Sequence, residues 1–525
     1  MSSASETAPA ATTPFRTALA WSYLMSTGRV VATLGVSLVL ARLLGPEAFG
    51  LIAMANVYVL FADMLVGKGM TTALVQRVGL STTEANTAFW IVLSAIGVFL
   101  PGSLLLAGWW SGVNSEPDLA VVIIALTPLV ALRGLAVVPE SLLLRDMAFK
   151  ALAIRTNVAV VVGGVVGLTL ALKGAGIWAL VAQQLTVAVV ELVAVWLASG
   201  WRPRVEFSCA AARSLTSFTG RASFGNVGVF IAQRSDALLI GLLFGPLAVG
   251  LYRMAARLVE TALEFTVGGL QTISLPELSP LQSDSHAFRR RSLELLRLAA
   301  IIAAPALIIM AFAASSLMAV LGPEWQPAGP ALAFLSGLAV LQVTANLLGP
   351  MWQAAGQPGL HATLTWLGGA ISAASFVAAG LLVQGQADDR QVLALAGVRT
   401  ITFAAMILLI VLPLARHSLG LSMRSMLSAM ARPVGGAVLG AVAALTALNS
   451  LPLPTLGPLA QLAVELTSYT LLVGMGVLAA EPLARSMAMS ATRRLIGIRS
   501  LRSPDKVDTQ PEGRVLVRAR QKPWS

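Results

Sequence analysis

The stretch LLGPEAFGLIAMA at residues 43–55 returns as LFGPLAVGLYRMA at residues 243–255, with eight of the thirteen positions identical. The offset is 200 residues, and the Gly-Pro, Gly-Leu and Met-Ala pairs all keep register within it. A Gly-Pro pair ends one helix and starts another, because glycine accepts a turn conformation and proline is at home in a first helical turn. The chain holds 46 Gly and 26 Pro, so isolated Gly-Pro pairs recur by chance, but chance does not preserve the flanking register. The two copies therefore mark one helix-turn-helix unit in each of two long internal repeats.

Working outward, the composition states where such repeats reside. Of 525 residues, 57% are hydrophobic and 11% are charged, whereas soluble chains carry roughly 25% charged residues. A soluble globular enzyme is excluded, and the chain reads as an all-α integral membrane protein. One cysteine, Cys209, rules out an internal disulfide framework, and the histidines at 286, 361 and 417 have no metal-ligand spacing, so no metal or other cofactor is expected.

A span needs ~20 apolar residues, and residues 325–387 run for 63 positions without Asp, Glu, Lys or Arg, divided by the turn GQPG at 356–359. Reading turns and charges in this way places six spans near 17–42, 48–66, 86–110, 118–138, 153–172 and 176–198. Six more follow near 219–244, 249–272, 295–320, 329–352, 360–383 and 391–415, and a last pair near 433–450 and 459–480, about fourteen in all. The organisation is a tail at 1–16, a six-helix half at 17–200, a linker at 201–218, a second six-helix half at 219–416, an added pair at 433–480 and a basic tail at 485–525. Six is even, so the halves are expected to be parallel repeats about an axis along the membrane normal.

The net charge of +12 reports orientation rather than nucleic acid. With the N terminus in the cytoplasm, Arg16, Lys68, Arg77, Arg145, Lys150, Arg202 and Arg204 and their counterparts in later loops fall inside, while only Arg42, Lys173 and Arg390 fall outside. Both termini are then cytoplasmic and both Gly-Pro turns lie on the outer face.

Charges within spans need partners or water, since one at a helix centre costs ~2.5–3.5 kcal/mol on insertion scales. Arg133, Arg155, Arg221 and Arg297 lie near cytoplasmic ends and are expected to snorkel. Arg29, Asp63, Arg234, Asp236, Arg253, Arg257, Glu260 and Glu264 lie deeper. The last four step by 4, 3 and 4, which puts one polar stripe on span 8 that cannot face lipid. Their equivalents at the 200 offset are Ala53, Val57, Leu60 and Met64, so the halves have diverged where the charge lies. The stripe is expected to line a hydrated pathway; the alternative is a local Arg257–Glu260 pair. Glu191, Arg399 and Glu465 fit either packing or pathway roles. Trp21, Trp109, Trp110, Trp178, Trp201, Trp325 and Trp352 sit near span ends and read as an interfacial belt.

Together with the two-half plan, the segments LARLLGPEAFGLIAMA (40–55), RDMAFKALAIR (145–155), GAGIWALVAQQL (174–185), WRPR (201–204) and LGPEWQPAGPAL (321–332) resemble the polysaccharide transporters of the multidrug/oligosaccharidyl-lipid/polysaccharide flippase superfamily, the Wzx-like group. The resemblance implies the fold shared by multidrug antiporters and lipid II flippases. It also implies export of an undecaprenyl-pyrophosphate-linked oligosaccharide across a bacterial inner membrane by alternating access, with membrane lipids, a polysaccharide polymerase and chain-length machinery as partners. A cationic cavity holds the pyrophosphate in the related lipid II flippases, and Arg29, Arg234, Arg253 and Arg257 match it by location. Asp63, Asp236, Glu260 and Glu264 then serve as counter-charges or couple a proton or sodium gradient. A cation antiporter of the same superfamily is the competing reading, disfavoured by these arginines. A polymerase or glycosyltransferase lacks an outer platform, because every predicted outer loop is short.

Overall fold

The computed structural model describes residues 15–77, 79–383, 385–386, 388–450 and 457–490, without the side chains of 15–27, 29, 66, 221–229, 231–236 and 388–389. The described residues are helical almost throughout. The first half comprises α1 (Phe15–Asp63), α2 (Gly69–Gln76), α3 (Thr82–Asn114), α4 (Pro117–Leu126), α5 (Pro128–Arg145), α6 (Phe149–Leu172) and α7 (Ile177–Ser199). The second comprises α8 (Cys209–Leu278), α9 (Ser285–Phe312), α10 (Ala314–Leu321), α11 (Ala328–Ala354), α12 (Pro358–Val383), α13 (Asp388–Met406) and α14 (Leu412–Leu419), followed by α15 (Met423–Ser450) and α16 (Pro458–Ala480).

Among the described residues twelve stretches are long and apolar enough to cross a membrane, and α1 and α8 each supply one that is long and broken within. Each of these helices breaks at its Gly-Pro pair: Gly45 has φ 74° and ψ 173°, and Gly245 has φ 77° and ψ −173°. Only glycine adopts such angles without strain, and the following proline forbids the preceding residue a helical conformation. The chain thus reverses twice by the same device, and the twelve stretches give fourteen crossings.

The two turns meet. A methyl group placed on Gly50 would overlap the Pro246 carbonyl oxygen, and one on Gly250 would overlap that of Pro46. Around this contact Trp325 donates its Nε1–H to the Ala41 carbonyl at 3.0 Å and stacks edge-on against Phe49, while Arg42 reaches the Val320 carbonyl. The Glu324 carboxylate lies over Gly45 and that of Glu116 over Gly245, so each half sets a glutamate on the other's turn.

Two expectations, the belt positions of Trp325 and Trp352, are corrected. Helix α8 begins inside the stretch read as linker, at Cys209, with Ser208 accepting from the Ala211 N–H at 3.3 Å as its cap. The remaining link is stitched to the first half, with Asn86 Oδ1 accepting from the Arg204 N–H and Trp90 Nε1–H donating to the Arg204 carbonyl. Trp325 and Trp352 are buried, at 1% and 2% exposure, because each indole N–H finds an acceptor inside the protein, whereas Trp109 and Trp178 are exposed as a belt requires.

Helices α15 and α16 join through glycine: a methyl on Gly440 would overlap the Leu472 carbonyl oxygen, and one on Gly476 that of Gly436. The pair leans on α9. Residues 481–490 belong to a unit separate from the helices before them; 482–490 are helical and Glu481 Oε1 accepts from the Leu483 N–H at 3.1 Å. The predicted tails at 1–16 and 485–525 otherwise lie outside the described residues, apart from 15–16 and 485–490.

Candidate functional site: a charged cavity between the halves

A cavity of about 830 Å³ opens beside the crossing of α1 and α8. From α1 it is lined by Phe49, Ile52, Ala53, Asn56, Val57, Leu60 and Asp63, a run at three- and four-residue steps that presents one helix face. The equivalent face of α8 supplies Gly250, Arg253, Met254, Arg257 and Glu260. Residues 53, 57 and 60 and their repeat partners 253, 257 and 260 all line the same space.

Among the described residues the second half contributes only α8 to this lining, whereas the first adds α2, α5, α6 and α7. Arg133 and Glu140 come from α5, Arg155 from α6, and Gln183, Gln184 and Glu191 from α7. Beyond Asp63, α1 passes into a π turn over Met64–Lys68, with five-residue hydrogen bonding. That widening helps bring Asp63, Gly67 and Lys68 onto the same side, where all three line the cavity.

Of the residues picked out by sequence, Asp63, Arg253, Arg257 and Glu260 line the cavity, and so does Glu191. Glu264 lies beyond the lining and is exposed. The side chains of Arg29, Arg234 and Asp236 lie outside the described residues. Glu260, which the alternative reading paired with Arg257, meets Arg253 at 3.4 Å, two turns away on the same face, within reach of the long arginine stem. Arg399 lies over the Phe376 ring at 5.9 Å, away from this cavity, and Glu465 accepts from Gln461 at 2.9 Å on α16.

Arg133 and Arg155 were expected to snorkel and instead line the cavity. Their depth along the helix was read as closeness to headgroups, but the cavity reaches that depth from inside the protein. Arg155 forms a two-pronged pair with Glu140, Nη2 to Oε1 at 3.1 Å and Nη1 to Oε2 at 3.0 Å. Glu140, Gln183 and Gln184 had not been singled out; polar residues at 183, 184 and 191 share a helical face on α7, a spacing that was available in the sequence. Among the described residues no group of three His, Cys, Asp or Glu side chains could hold a metal ion.

These features define a class: a helical membrane protein of two similar halves that meet at paired Gly-Pro turns and share a charged central cavity. The structure is similar to that of the lipid II flippase MurJ in an inward closed conformation, with a TM-score of 0.67 at 10% identity over 87% of this chain and 98% of that one. It is also similar to an inward-facing multidrug resistance MATE family transporter of the MOP superfamily, with a TM-score of 0.51 at 16% identity over 74% and 92% of the chains. The fold is that of the superfamily. Residues 39–330, more than half of the chain, match the family described as "Polysaccharide biosynthesis protein", and the chain belongs to that family. Two relatives are the succinoglycan biosynthesis transport protein ExoT of Rhizobium meliloti (strain 1021), 28% identical over 320 residues, and the lipopolysaccharide biosynthesis protein WzxC of Escherichia coli (strain K12), 23% identical over 335. Each alignment takes in 60% of this chain, and 64% and 65% of the respective relative, just under two-thirds.

Proposed function

We propose that this protein is a flippase that carries an undecaprenyl-pyrophosphate-linked oligosaccharide across the bacterial inner membrane, serving synthesis of an exopolysaccharide, capsule or O-antigen. The observation that carries the reading is the placement of Arg253 and Arg257 on the wall of a cavity lying between two like halves. Arginine keeps its charge and offers a planar fork of donors to phosphate oxygens, so a diphosphate head suits this wall. Arg29 and Arg234 belong to the same cationic site in this reading, and Asp63, Asp236, Glu260 and Glu264 are its counter-charges or couple an ion gradient.

The headgroup enters from the cytoplasmic side while the turn face is shut, the halves rock, and the prenyl tail stays in lipid. The halves are 17–200 and 219–416, both termini are cytoplasmic, and a polymerase with its chain-length machinery takes the product. No covalent step is required of the protein, so it is not an enzyme.

The test is depletion of the protein followed by analysis of accumulated undecaprenyl-linked sugars, with the leaflet read by an external glycosidase. Repeat units protected from the glycosidase are the expected result. Fully externalised single units point to a polymerase, and no accumulation, in a strain without a second flippase, points to the antiporter.

A further inference from the structure

Arg155 and Glu140 join the two walls of the first half inside the cavity, and three features set them apart from an ordinary helix brace. Both residues line the cavity as well as linking α5 to α6. The pairing is two-pronged, so the carboxylate occupies the guanidinium as a bidentate oxyanion does. The partners also differ in burial: the Arg155 side chain is 11% exposed and that of Glu140 is 35% exposed. The guanidinium is fixed in the wall, and the carboxylate is the partner with room to withdraw. Among the described residues the Arg155 Nε–H has no acceptor, although it is buried, so the fork has donor capacity that Glu140 does not use.

The α8 lining of the same cavity repeats the motif. Arg253 is held by Glu260 at 3.4 Å, again with the arginine sheltered at 14% exposure and the glutamate open at 52%. Each half thus presents to one cavity a sheltered arginine covered by a more exposed glutamate. A carboxylate and each phosphate of a diphosphate diester alike offer two anionic oxygens and one charge, so the exchange keeps the arginine's charge compensated, and the idle Nε–H of Arg155 gives the phosphate a donor that Glu140 does not use.

We propose that Arg155 is a diphosphate ligand of the first half, and that Glu140 is a placeholder which the substrate displaces. This deepens the flippase reading and rests on it. Binding then exchanges Glu140 for one phosphate on Arg155 and Glu260 for the other on Arg253, and the substrate ties the two halves together at their shared cavity. The carboxylates keep the arginines from remaining bare in a low-dielectric site when no substrate is present.

The test measures equilibrium binding of undecaprenyl pyrophosphate to the purified full-length protein in nanodiscs. Glu140→Gln keeps the shape and removes the competing charge, and is expected to bind about tenfold tighter, the scale of one charge-assisted hydrogen bond. Arg155→Lys keeps the charge and loses the fork, and is expected to bind about tenfold more weakly, with no gain on adding Glu140→Gln. Thermal unfolding of each variant checks the fold. A brace between α5 and α6 predicts the reverse for Glu140→Gln, a less stable protein with unchanged or weaker binding, and that result overturns the proposal. If Arg257→Ala weakens binding while both Glu140→Gln and Arg155→Lys leave it unchanged, this inference fails and the flippase reading stands. If Arg257→Ala binds as wild type does, the reading beneath fails and takes the inference with it.

Discussion

Gly50 and Gly250 occupy equivalent positions in the two repeats, and each backbone lies against the carbonyl oxygen of the proline that opens the other's turn, Pro246 and Pro46 respectively. No side chain fits between them. In the flippase reading this reciprocal contact is the closure of the turn end, which opens only when the two part. Gly50→Ala and Gly250→Ala are therefore expected to hold the turns apart. The reporter is Asn56→Cys, on the cavity wall, in a Cys209→Ser background that removes the chain's one native cysteine. Several-fold faster labelling by an impermeant maleimide added from the turn side is expected in either glycine variant. Labelling as slow as in the parent overturns this account of closure.

Removing Arg253 or Arg257 tests the cationic wall directly. Each Arg→Ala change is expected to cost about 1.5–3 kcal/mol of diphosphate binding, the range for a hydrogen bond to a charged group. Polymer export should fall while the amount of protein in the membrane stays at the wild-type level. Export at the wild-type rate in both variants removes the basis for a phosphate-binding cavity.

The repeat was legible because Gly-Pro turns leave a fixed signature, and the fourteen crossings follow from it once Gly45 and Gly245 are read as breaks. The α8 face through Arg253, Arg257 and Glu260 was legible for a similar reason, since charge at helical spacing has few places to go. Arg155 was misplaced because depth along a helix cannot separate lipid headgroups from a wet cavity opening at the same height. The π turn at Met64–Lys68 has no local signature in MLVGK, and the position of Lys68 depends on it. Trp325 was assigned to a membrane belt because its acceptor, the Ala41 carbonyl, lies in the other half.

Acid is expected to act on the turn face through Glu116. Its carboxyl is pushed above the usual carboxylate range, first by burial and then by the Glu47 and Asp118 carboxylates nearby. A raised folded-state pKa means that protonation stabilises the folded protein; the stabilisation is complete below the unfolded value of about 4.3 and is lost as pH rises through the folded value. Glu116→Gln should therefore unfold at a higher temperature than wild type at neutral pH, with the difference vanishing near pH 4 and shrinking in high salt. Thermal unfolding of the purified pair across that range checks it, and a lower midpoint for the variant at neutral pH contradicts it.

The added pair α15 and α16 yields the sharpest separation of scaffold from pathway. Gly436, Gly440 and Gly476 let the two backbones touch, and the pair leans on α9 rather than on the α1–α8 cavity wall. Gly440→Val drives a side chain into the Leu472 carbonyl and the Val473 Cα, and overpacking of this kind typically costs about 1–3 kcal/mol. If the pair is a buttress, abundance in the membrane falls while export per folded molecule is unchanged. Quantitative immunoblotting set against polymer yield measures both. Normal abundance with lost export would place α15 and α16 in the transport path itself, as a surface for the lipid tail, because packing strain alone cannot spare the fold and abolish the function.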